Sequence, residues 1–112
     1  MKVSVRTTKL QKLLREHREL VKEYGEKRAR SIEKCITFLR GVSDLFNVPH
    51  TKPFRCHELT GNRKGEFAVD VDEKLRIIFV PDHNPVPKLP DGGINRKAVN
   101  EIVIIEVEDY HK

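Results

Sequence analysis

The chain has 112 residues, 38% of them hydrophobic and 35% charged. That length suits one domain with one modest core, and no apolar run is long enough to cross a bilayer. The net charge is +5, and it is uneven: residues 1–50 carry 12 Lys and Arg against 6 Asp and Glu, whereas residues 51–112 carry 10 against 11. A basic excess steers anionic partners, although basic helices also serve solubility alone. Met1 to Arg6 lacks the long apolar segment of a secretory signal, and Cys35 and Cys56 form neither a C-x-x-C pair nor a disulfide framework. A reducing, cytoplasmic setting is therefore expected.

Lys2 to Arg6, with valines at positions 3 and 5, reads as a short strand. Thr7 or Thr8 then caps a helix. Leu10, Leu13, Leu14, His17, Leu20, Val21 and Tyr24 recur at helical spacing, which predicts one helix up to a C-cap at Gly25. His17 lies on or beside that stripe, so a packing role is expected for it. A second helix starts near Glu26, with Ala29, Ile32, Cys35, Ile36 and Leu39 on one stripe, and Gly41 and Pro49 punctuate its end. Cys35 fits that stripe as a small core residue. Two such helices form a hairpin whose apolar faces need a partner surface.

From Pro53 the period becomes two. Phe54 to Leu59 is a candidate strand, and residues 65–80 read as a hairpin around Asp72-Glu73-Lys74. Residues 81–97 contain Pro81, Pro85, Pro87 and Pro90, then Asp91-Gly92-Gly93, and read as a long loop. A last strand covers about 100–107; its Ile102-Val103-Ile104-Ile105 run suggests burial on both faces. The order is β-α-α-β-β-β-β. The expected fold is α+β: one domain over 1–112, its N-terminal helical hairpin packed on a mostly antiparallel, twisted sheet.

Three groups of residues have the composition for chemistry. The first is the turn Thr60-Gly61-Asn62-Arg63-Lys64-Gly65, preceded by His57. Its glycines allow close backbone approach, and Arg63 and Lys64 either hold a phosphate or stand in water. The second is Arg76, which alternation directs away from the apolar face. It either pairs with a carboxylate such as Asp70 or Asp72, or it serves a concave anion site. The third is Asp109-Tyr110-His111, placed where a strand ends; it is either a chemical platform or a frayed tail. The sequence holds no H-E-x-x-H, no Walker loop, no G-x-S-x-G elbow and no recognised metal-ligand spacing around Cys56, His57 and His111.

Taken in order, His57-x-Leu59-x-Gly61-x-Arg63-x-Gly65, Phe67 to Val71, Leu75 to Phe79, and the strand closing on Asp109-Tyr110-His111 resemble RelE-superfamily toxins of toxin–antitoxin pairs. The likeness is to the HigB branch, the plasmid-maintenance killer proteins, and it covers roughly residues 53–112. The resemblance implies a metal- and cofactor-independent endonuclease that enters the ribosomal decoding site and cuts messenger RNA there. It also implies a cognate antitoxin, expected to be a small helix-turn-helix protein, and no membrane partner. By the same resemblance, His57 transfers a proton or contacts phosphate, and Arg76 stabilises the phosphorane. Tyr110 stacks on or orients a base, His111 is acid or base, and Asp109 orients an imidazole or receives a proton. Thr60 stands where the family often has lysine, so Arg63 or Lys64 would compensate or activity would fall. Two alternatives share the scaffold: a gyrase-poisoning, protein-binding toxin like the ParE relatives, and a ribosome- or RNA-binding module without catalysis.

Overall fold

The structure is a computed structural model and describes residues 1–109. Strand β1 (Lys2–Val5) is followed by helices α1 (Thr8–Arg15), α2 (His17–Tyr24) and α3 (Glu26–Gly41). Strands β2 (His57–Glu58), β3 (Phe67–Asp70), β4 (Leu75–Pro81) and β5 (Glu101–Asp109) complete the order. The sheet runs β1-β5-β4-β3-β2, with β1 parallel to β5 and every other pair antiparallel. This is the α+β arrangement the sequence predicts. No described helix is long and apolar enough to cross a membrane.

The first predicted helix is two. Thr7 caps α1 by accepting from the Leu10 amide at 3.1 Å, but Glu16 adopts an extended conformation and breaks the helix. The periodicity cannot reveal this, because the apolar stripe continues through α2. Gly25, with φ +86°, both ends α2 and precedes α3, as its left-handed conformation permits. The five stripe residues of α3 are all buried against the sheet.

The strand expected over Phe54–Leu59 shrinks to two residues. Arg55 takes a positive φ of 46°, and Phe54 stacks on Phe38 of α3 with ring centroids 4.2 Å apart. That aromatic pair draws the segment onto the helix and out of strand geometry. The segment 81–97 is only partly irregular. Pro81 ends β4, Lys88 bridges Ile94 in a small hairpin, and Arg96–Ala98 form a 3-10 turn.

The helix-side face of the sheet carries Phe67, Val69, Leu75, Ile77, Phe79, Ile102 and Ile104, all buried. Burial of each such side chain stabilises by about 1.5–3 kcal/mol. A bulge at Ile78/Phe79 shifts the pairing, so that Phe79 faces Ile104 while Ile77 faces Val107. The bulge changes the parity of β5. Upstream, Ile102 and Ile104 face the helices; downstream, Val107 does, and Glu106 and Glu108 turn to the opposite face. The predicted burial of β5 on both faces is therefore corrected: Val103 and Ile105 are only half-buried.

Candidate functional site

The opposite face of the sheet collects most of the chemistry-bearing residues. His57 pairs with Ala68, Ala68 with Ile78, and Ile78 with Glu106, which defines one row across the face. Asp70, Arg76 and Glu108 form the next row on the same face. His57 and Arg76 are two strands and two residues apart, so their Cα atoms are separated by about 12 Å from strand spacing and rise. Between them Ala68 and Ile78 are fully buried.

Arg76 is held by Glu108. Its Nε donates to Glu108 Oε1 at 2.8 Å, its Nη2 lies 2.6 Å from the same oxygen, and its side chain is 18% exposed. The other oxygen of Glu108 accepts from Arg63 Nη1 at 2.9 Å. Arg63 also reaches Glu106 at 2.8 Å and Glu66 at 2.7 Å, so its guanidinium crosses the face from the β2–β3 turn to β5. The Glu106 and Glu66 carboxylates raise the Arg63 pKa further above its ordinary value and fix its charge. The result is a connected network: two arginines, with Glu108 bridging them and Glu66 and Glu106 completing the Arg63 fork.

The sequence offered Asp70 or Asp72 as partners of Arg76. Asp70 is its backbone partner in register and lies 3.7 Å from Arg55 Nε. Asp72 instead receives Arg28 of α3 at 2.8 Å and caps the β3–β4 turn by accepting from the Lys74 and Leu75 amides, each at 2.8 Å. Burial alone would push the Asp72 pKa up, but the Lys74 amide and Arg28 outweigh it, and the net shift is downward. Glu108 was missed because its partner is set by the bulge. Counting in twos from either end of the apolar run gives different faces for residues 106 and 108.

His57 is exposed, and its Nδ1 donates to the Arg55 carbonyl at 2.8 Å. With Nδ1 as that donor, the second ring nitrogen, Nε2, is left to accept in the Nδ1–H tautomer. Thr60 and Lys64 flank the 3-10 turn Gly61–Arg63 and are exposed. Asp109 pairs with Leu75, not with Arg76, so alternation assigns it to the helix-side face and leaves Glu108 beside Arg76. Tyr110 and His111 lie outside the described residues.

The other titratable groups have structural explanations. His17 is exposed, not packed as expected; its Nδ1 lies 3.0 Å from both Glu33 oxygens and its Nε2 3.3 Å from Glu26. The Glu33 hydrogen bond, with a smaller contribution from Glu26, raises its pKa. Burial pushes the Cys35 thiol up to about 12 and the Cys56 thiol up to about 11, which keeps both inert at neutral pH. Among the described residues no cluster of His, Cys, Asp and Glu is placed to hold a metal ion.

This arrangement of helices and sheet occurs in a solved structure. The solved structure of a YoeB/ParE toxin from Agrobacterium tumefaciens superposes with a TM-score of 0.55 over 100% of both chains, at 12% sequence identity. No protein-family profile and no curated protein matches the sequence.

Proposed function

We propose that the chain is the toxin of a toxin–antitoxin pair and cuts messenger RNA in the ribosomal decoding site of the cytoplasm. The observation that carries this reading is the shared face of His57 and Arg76. An exposed imidazole and a strand-anchored guanidinium stand on one surface of a YoeB/ParE-like fold, and β5 ends beside the guanidinium. In the proposed reaction the ribose 2′-oxygen bonds to the adjacent phosphorus and the P–O5′ bond breaks. The 2′-hydroxyl proton passes to a base and the 5′-oxygen takes a proton from an acid, leaving a 2′,3′-cyclic phosphate. The nucleophile comes from the RNA itself, so the proposed chemistry needs no metal-bound water.

Arg76 would stabilise the charge that grows on the phosphorane, and Glu108 holds its guanidinium to the sheet before RNA arrives. His57, with an accepting Nε2, and His111 would share the proton transfers and Tyr110 would stack on a base; Asp109, on the helix-side face and away from His57, would orient the His111 imidazole. Arg63, engaged by three carboxylates, would fix the turn that carries Thr60 and Lys64, leaving Lys64 to contact the phosphate backbone of the RNA strand away from the scissile bond. The cognate antitoxin is proposed to be a small helix-turn-helix protein.

The same network supports a second reading, a toxin that binds its target without cutting. Glu66, Glu106 and Glu108 on this face are already paired with the arginines an RNA phosphate would seek. Purified protein added to translating ribosomes with a defined message separates the two. Mapped new ends within codons support the endonuclease. An intact message, under conditions where a control toxin cuts, leaves the binder.

A further inference from the structure

The turn after β2 presents two adjacent cations with opposite fates. Arg63 points across the sheet into its three carboxylates. Lys64 is exposed and makes no ion pair with any described residue. It lines a cavity of 260 Å³ together with Lys88, which is also exposed and also without an ion pair among the described residues. Gly65, Gly92 and Gly93 form part of the wall, so main chain rather than side chain faces the cavity there. Glu58 contributes one carboxylate, whose Oε2 accepts from the Gly65 amide at 3.0 Å.

Lys88 is carried by an ordered element. Leu89 N donates to the Gly93 carbonyl at 2.7 Å, Gly92 N to the Leu89 carbonyl at 2.9 Å, and Asn95 N to the Pro87 carbonyl at 2.9 Å. Asp91 caps the tip by accepting from the Gly93 amide at 2.8 Å. This hairpin in the long 81–97 segment therefore delivers one lysine to a fixed position beside the turn that abuts the Arg63–Glu108–Arg76 network. Two unneutralised ammonium groups against one hydrogen-bonded carboxylate make a small cationic cleft, and lysine recognises phosphate as a point charge without demanding a planar fork.

We infer that Lys64 and Lys88 form a second phosphate position for single-stranded RNA, at the β2 edge, for a phosphate other than the one that is cut. The inference rests on the reading of the chain as an RNA-cutting toxin, and it assigns the 81–97 hairpin to holding the strand. It is tested without ribosomes, by the salt dependence of binding of the full chain to a labelled single-stranded RNA oligomer. Lys64→Gln and Lys88→Gln should each reduce the slope of log affinity against log salt by about 0.7, and the double variant by about 1.4. Lys97→Gln removes the same charge from the ammonium lying 4.7 Å over the Phe46 ring and should leave the slope unchanged. Equal slopes in wild type and the double variant would overturn the site, as would an equal drop in Lys97→Gln or no salt-dependent binding by the wild type. The two claims fail separately. Lysine-dependent RNA binding with no cleavage on ribosomes removes the endonuclease and keeps the site; ribosomal cleavage with unchanged slopes does the reverse.

Discussion

The two faces of the sheet are built from the same strands and obey different physics. The helix-side face is a continuous apolar layer, with Phe67 and Phe79 stacked at 5.8 Å between Val69, Ile77, Ile102 and Ile104. The opposite face buries Ala68 and Ile78 and covers them with an ionic network whose arginines and glutamates are all partly exposed. The first face determines whether the chain folds. The second is only loosely coupled to stability, because exposed ion pairs contribute little each, so it can be altered for chemistry without unfolding the protein. This difference is what makes the polar face a suitable place for a functional site.

Substitutions on each face break the comparison in order of size. Phe79→Ala should cost about 3–5 kcal/mol in equilibrium urea unfolding, through lost burial and a cavity between β4 and α3. Arg63→Ala should cost about 1–2 kcal/mol, because it leaves Glu66, Glu106 and Glu108 close together without their shared cation. A loss as large as that of Phe79→Ala would show that the network is part of the core. Asp72→Ala removes the cap of the β3–β4 turn and the Arg28 pair, and about 1 kcal/mol is expected. Since the Asp72 pKa is lowered from 3.8, its contribution is complete above that value and fades as pH falls through the lowered pKa. The Asp72→Ala difference should therefore vanish in acid.

The smallest effect belongs to His17, which links α2 to Glu26 and Glu33 of α3 at the exposed side of the helical layer. Its pKa is raised above 6.5, so its stabilisation is complete below that pH and is lost as pH rises through the raised value. Wild type and His17→Ala should converge in stability on the alkaline side, measured by thermal midpoint across neutral pH. A constant difference would assign His17 to packing.

Much of the helix-side face was legible in the sequence, because apolar alternation and the α3 stripe report burial directly. Ala29, Ile32, Cys35, Ile36 and Leu39 were readable at helical spacing, and Phe67 with Val69 and Ile77 with Phe79 at strand spacing. The break at Glu16 was not, since an extended residue between two helices leaves the apolar spacing intact. On the polar face, His57, Arg63 and Arg76 were visible as residue types, but their partners were not. Nothing in the sequence singles out Glu106 and Glu108. Only the bulge at Ile78/Phe79, a tertiary feature, turns them toward the arginines. The small hairpin that carries Lys88 was likewise hidden inside a proline-rich stretch.

The central claim is that the polar face cuts RNA and that Arg76 stabilises the transition state there. The most direct measurement compares wild type with Arg76→Ala on translating ribosomes, mapping message ends over time and recording the thermal midpoint of each protein. The account predicts cleavage by the wild type and a rate about 10²–10³ lower in Arg76→Ala, with little change in midpoint. An uncut message, or equal rates in the two proteins, would contradict it.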